Sequence, residues 1–186
     1  RKIIFLPIAS FVLSLIIFSH NILALMFFPF GLVYLAFLCS QKRDKKYSIL
    51  NAAYLLLLGL GLSAIFWLPA IFERGFVRGL EVFDYRQHFV EVYQLIFPSW
   101  GSGFSADPTT QGLSFQIGIA NLIALAISIP LTIKKRIKIS ILMLIFVFLG
   151  IFLMLRISQP LYQEIPIIQY FQFPWRFLSL IILFSS

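Results

Sequence analysis

The chain is 186 residues long, 60% apolar and 12% charged, with a formal net charge of +8. That balance excludes an ordinary soluble domain, where charged residues are about twice as common. It does not mark a nucleic-acid binder either: ten of the fifteen Lys and Arg residues fall in three short clusters that include only Asp44 among the acids, while the other five Arg face six acids.

Arg1 and Lys2 open the chain, and an apolar run over 3–19 follows. Such a run is about the length needed to cross a hydrocarbon core of ~30 Å. A short polar link, Ser19-His20-Asn21, leads into a second run over 22–39, which ends at the cluster Lys42, Arg43, Lys45 and Lys46. The third run, 48–72, carries Gly59 and Gly61, where a neighbouring helix can approach closely, and an interfacial Trp67 with a helix-ending Pro69 near its end. The long polar segment 73–112 contains a helical spacing of Val82, Tyr85, Phe89, Val92, Tyr93 and Ile96, so an amphipathic helix is expected between spans three and four. Pro98 stops it, and Gly101, Gly103, Asp107 and Pro108 make a loop. A fourth run over 113–133 returns to Lys134, Lys135, Arg136 and Lys138; a fifth covers 139–155; a polar loop covers 156–176; a last run begins at 177.

These runs are apolar on every side rather than striped. The expected fold is an all-α multi-pass transmembrane bundle forming one membrane domain, with five complete spans, part of a sixth, and a surface helix. Lysine-rich connectors stay in the cytoplasm, so the amino end is cytoplasmic and the loops 73–112 and 156–176 face outward. The clusters also favour anionic lipid headgroups, making membrane lipids the expected partners, with no nucleic acid. Without an initiator Met and ending in an apolar run, the chain reads as a segment of a longer protein. Cys39 stands alone as a small apolar filler or a palmitoylation site.

The sharpest local signal is Gln172-Phe173-Pro174-Trp175-Arg176-Phe177. Pro174 suits a helix start, Arg176 can grip phosphate with two parallel hydrogen bonds, and Trp175 would hold the site at headgroup depth. The plainer account is an aromatic belt with a snorkelling Arg. Asp84, His88 and Glu91, at helical spacing, would share one face; they could bind Mg²⁺ or Mn²⁺, or Asp84 or Glu91 could act as a catalytic base, against the plainer solvated face of a surface helix. His20 and Asn21 either line a substrate cleft or cap a helix. Gln116 and Asn121 either line a groove or bond between helices. No phosphate-binding Gly-Lys-Ser/Thr loop, Cys-x-x-Cys pair or His-Glu-x-x-His helix is present.

Ser19-His20-Asn21, Phe66-Trp67-Leu68-Pro69-Ala70 with Glu73, Gln116-Ile117-Gly118-Ile119-Ala120 and Phe173-Pro174-Trp175-Arg176-Phe177-Leu178 together resemble the bacterial membrane proteins labelled "6-pyruvoyl-tetrahydropterin synthase-related". That family is similar to the GT-C superfamily of glycosyltransferases, and the resemblance covers most of the chain. It implies a bacterial inner-membrane enzyme that takes sugar from a polyprenyl-phosphate carrier on the outer side for cell-envelope glycan or glycoprotein synthesis. It implies Arg176 as a contact for the lipid-linked donor, and a catalytic carboxylate in an outer loop upstream of this segment. A lipid or solute transporter and a non-catalytic scaffold remain as other classes.

Overall fold

The computed structural model describes residues 5–76, 84–103 and 112–186. Nine α-helices lie among them, joined by 3₁₀ turns and extended stretches, so the chain is all-α. It forms two compact units, Arg1–Gly79 and Leu80–Ser186.

The first unit holds α1 (Phe5–Ser19), α2 (Asn21–Ser40), α3 (Lys45–Leu62) and α4 (Ala64–Phe72). Its burial is inverted relative to a water-soluble helix. From α1 the buried side chains are Ser10, Ser14 and Ile17, while Phe5, Ile8, Phe11, Val12 and Leu15 are exposed. The two serine hydroxyls donate within their own helix, to Leu6 O at 2.9 Å and Phe11 O at 2.7 Å, so their burial leaves no donor unmet. The buried residue of α3 is Gly59, where a Cβ would stand 2.7 Å from Leu13 Cδ2 and 3.1 Å from the Ser10 carbonyl. Small residues at the contact and large apolar ones outside are how helices associate in lipid. Gly61, by contrast, meets nothing within 4 Å.

The third run, expected as one span over 48–72, is broken. α3 and α4 meet at Ser63 with a bend of 72°. Ser63 bonds back to the Gly59 carbonyl at 2.9 Å, a known bending motif, and Trp67 Nε1 donates to Leu60 O at 2.9 Å across the break. Pro69 lies inside α4 rather than ending it, and Phe72 is the last helical residue.

The second unit holds α5 (Ile119–Lys135), α6 (Lys138–Met154), α7 (Gln159–Glu164), α8 (Pro166–Gln169) and α9 (Leu178–Ser185), the last preceded by a 3₁₀ turn over Pro174–Phe177. Phe146, Val147, Leu153 and Met154 of α6 and Leu180 and Ile181 of α9 are buried. Gly150 lets these two helices close, since a Cβ there would stand 2.9 Å from Ile181 Cγ1. Asn121 Nδ2 donates to Ile182 O at 3.4 Å, an interhelical bond between α5 and α9. The basic turn at Arg136, left-handed at φ 49°, joins α5 to α6. The aromatic segment before α9 therefore lies at the far end of α6 from that turn.

Three further expectations are corrected. By length and apolarity, one described helix, α2, is enough to cross a membrane, or two if α3 and α4 count as one span, rather than five and a partial sixth. The described parts of α1, α6 and the helix from Pro174 are apolar but shorter. The fourth run does not start helical at 113: residues 112–118 are irregular, and Leu113 N–H bonds Gly103 O at 3.1 Å while Ile117 N–H bonds Leu95 O at 3.0 Å. Gly118, at φ +97°, then turns the chain into α5, a conformation that favours glycine. The third correction concerns the amphipathic helix over 82–96. Two 3₁₀ turns, Tyr85–Gln87 and Val92–Leu95, stand there instead, with Val90 extended between them and bridged to Leu155. Val82, Asp107 and Pro108 lie outside the described residues.

Candidate functional site

The second unit gathers an aromatic cluster at the end of α6 away from the basic turn. Its foundation is Tyr162, fully buried, whose hydroxyl donates to Leu153 O at 2.8 Å. Burial pushes this phenol far above its ordinary range, so it stays a donor. Tyr85 stacks on Tyr162 with centroids 5.4 Å apart, and Phe89 meets Tyr162 edge-on at 5.2 Å. Val90 N–H donates to Met154 O at 2.9 Å and ties this loop to the helix end.

Above it lies the segment that carries Arg176. Phe173 stacks on Trp175 at 5.3 Å, Trp175 packs on Phe115 at 5.6 Å, and His88 meets Phe173 edge-on at 4.8 Å. The Arg176 guanidinium sits 4.8 Å from the Phe173 ring centre, a cation–π distance. Its Nη1 donates to Phe171 O at 3.0 Å and to Gln172 Oε1 at 3.4 Å. Among the described residues, neither Nε nor Nη2 has an acceptor. Partial burial lowers the Arg176 pKa from its ordinary value, yet a guanidinium remains charged at any physiological pH. One edge of the fork is thus anchored and the other is open.

The anchor depends on a strained turn. Gln172 has φ 60°, and Phe173 N–H closes a three-residue turn onto Phe171 O at 2.6 Å. A non-glycine residue there is uncommon and costs roughly 1–3 kcal/mol. The turn aims the Phe171 carbonyl at both Phe173 N and Arg176 Nη1. Pro174 opens the helical turn as its spacing suggests, with Phe173 as the cap.

The remaining expected site residues are dispersed. Asp84 accepts Arg86 N–H at 3.0 Å and pairs loosely with the Arg86 side chain at 3.9 Å. Glu91 forms a capping box with Gln94, whose Oε1 accepts Glu91 N–H at 2.8 Å. His88 is 4% exposed beneath Phe173. Without the helix, the three side chains do not share a face, and no group of three His, Cys, Asp or Glu among the described residues is placed to hold a metal ion. Gln116 Nε2 donates to Ile96 O at 2.7 Å. His20 and Asn21 belong to the first unit and act as caps: His20 Nδ1 accepts Leu23 N–H at 3.4 Å and Asn21 Oδ1 accepts Ile22 N–H at 2.8 Å. The structure adds Phe115, Tyr162 and His88 as an aromatic neighbour to the site, and makes Gln172 an acceptor for Arg176. Phe115 and Tyr162 carry no signal in the sequence, whereas Gln172 stands inside the aromatic segment.

No protein-family model, curated protein sequence or solved structure matches this chain.

Proposed function

We propose that this protein is a multi-pass membrane protein of the bacterial inner membrane that binds a polyprenyl-phosphate-linked sugar on the outer side and acts as a carrier-dependent glycosyltransferase in cell-envelope glycan or glycoprotein synthesis. The observation that carries this reading is the open Nε/Nη2 edge of Arg176, held rigid by Phe173 and by the Phe171 carbonyl. That edge can take two phosphate oxygens in parallel. When the bond from sugar to phosphate breaks, charge builds on the leaving phosphate, and a preorganised cation stabilises it. The acceptor hydroxyl must lose a proton as its bond to the sugar forms. Asp84 and Glu91 already serve as caps, so neither is assigned as the base.

The membrane part of the reading is supported by the inverted burial of α1 and α3, by basic turns at one end of each hairpin, and by aromatic side chains such as Trp100, 95% exposed. Beyond α2 and the α3–α4 pair, the proposal takes α6 as a further span. The 17 residues of α6 extend ~26 Å, the lower limit for crossing. The test is sugar transfer in proteoliposomes supplied with a polyprenyl-phosphate sugar. Arg176→Ala is expected to lower transfer by about 10²-fold or more, and Arg176→Lys to recover only part, since it restores charge without the fork. Transfer unchanged in well-inserted Arg176→Ala would remove Arg176 from the chemistry.

A transporter is the second reading, and the 72° break at Ser63 favours it, because broken helices line transporter sites. Solute flux across sealed vesicles without any sugar transfer would select it.

A further inference from the structure

The turn between α2 and α3 carries Lys42, Arg43, Lys45 and Lys46 with one acid, Asp44. Asp44 is engaged as the α3 cap, its Oδ1 accepting Tyr47 N–H at 3.0 Å. All four cations are exposed, and none forms an ion pair among the described residues. Lys45 and Lys46 also open α3, the end where peptide dipoles already create positive potential, and no acid occupies that first turn. The turn therefore keeps an excess of positive charge, four cations against the one carboxylate of Asp44.

Beside it runs a groove of about 460 Å³ between the two helices. Its walls follow from helical spacing: positions 32, 35, 36, 39 and 40 share one face of α2, and 45, 49, 52, 53 and 56 share one face of α3. Alanines at 36, 52 and 53 leave the hollow, while Lys45 and Ser40 sit at its charged end. From Lys45 to Leu56 the groove extends ~16 Å along the helix, about one leaflet of a ~30 Å hydrocarbon core. That length matches an acyl chain entering from the leaflet beside the basic turn and is far too short for a polyprenyl chain. Its volume lies in the ~300–1,000 Å³ range of small-ligand clefts.

We infer that this groove seats one acyl chain of an anionic glycerophospholipid, with its phosphate on Lys45 and the neighbouring cations of the turn. The inference rests on the membrane reading above, but not on the glycosyltransferase assignment or on Arg176.

Cys39 is the chain's single cysteine and lines the groove, so its alkylation by a maleimide reports occupancy. The full chain in detergent micelles is titrated with phosphatidylglycerol or with phosphatidylcholine of the same acyl chains, and retained lipid is counted by native mass spectrometry. Phosphatidylglycerol is expected to be retained and to slow Cys39 alkylation, with phosphatidylcholine much weaker. Removing charge in Lys45→Gln and then Lys46→Gln should weaken phosphatidylglycerol about fivefold per lysine. Ala53→Phe, which fills the hollow without touching the charge, should reduce retention of both lipids. Equal protection by the two lipids, unchanged binding in Ala53→Phe, or an acyl group found covalently on Cys39 would each overturn the inference. A chain that alkaline carbonate washes from membranes would overturn the membrane reading with it. A chain that stays in the membrane but shows no lipid preference overturns the lipid seat alone.

Discussion

His88 shows how local burial sets a chemical property. Its imidazole lies beneath Phe173, and desolvation holds its pKa below the ordinary value, with the charge of Asp84 opposing that shift. The folded form therefore resists a proton that the unfolded chain accepts. Above about pH 6.5 both forms are neutral and the group has no effect; as pH falls below that value, stability is lost until the folded pKa is passed. Thermal melts of the detergent-solubilised protein from pH 7.5 to 5 should show this acid-side loss, and His88→Phe should reduce it. A melt as acid-sensitive in His88→Phe as in the parent would place the titration elsewhere. At this scale the sequence was readable where a side chain acts on its own neighbours. His20 as a cap and Pro174 as a helix start are examples, since both effects act within a few residues. The strained Gln172 was not readable, because only the tertiary demand for the Phe171 carbonyl holds it at positive φ.

Helices and their contacts follow a different rule. Gly59 and Gly61 are equivalent in sequence but not in packing, because only the first faces α1. Gly59→Val should destabilise the α1–α3 pair by about 1–3 kcal/mol through overpacking against Leu13 and Ser10. Gly61→Ala should be neutral or raise stability by up to about 1 kcal/mol from helix propensity. Steric-trap unfolding in bicelles or denaturant melts in mixed micelles would compare them; equal effects would mean that the close approach at Gly59 is not formed. Helix existence was legible from apolar run length. Helix continuity was not. The 48–72 run looks uniform, yet Ser63 takes the Gly59 carbonyl and breaks it. The 82–96 pattern has helical spacing, yet Val90 finds a better partner in Met154, and Asp84 and Glu91 prefer to start turns. In both cases a bond specific to the tertiary structure or to one hydroxyl outweighed the periodic pattern.

For the whole molecule, the charge clusters were the most informative feature of the sequence. Both internal clusters fall at tight turns, between α2 and α3 and between α5 and α6. The cytoplasmic placement proposed for them makes a direct prediction. In a Cys39→Ser background, Ser102→Cys should react with an impermeant maleimide in intact cells, and Lys46→Cys only after permeabilisation. Labelling of Lys46→Cys alone in intact cells would overturn the proposed orientation. How many runs form helices long enough to cross a membrane was less legible, because a run of apolar letters includes non-helical residues such as 112–118 that add no helical length.

The last three carbonyls of α6 are met from beyond the helix: Phe152 O by Leu155 N–H, Leu153 O by the Tyr162 and Ser158 hydroxyls, and Met154 O by Val90 N–H. A helix end in a low-dielectric setting has no water to fall back on, so these groups are as much a part of α6 as its own turns. Proteolytic nicking at the 84–95 connector would then be felt as faster amide exchange in the final turn of α6, and grafting that helix into another scaffold without its lid would leave it frayed.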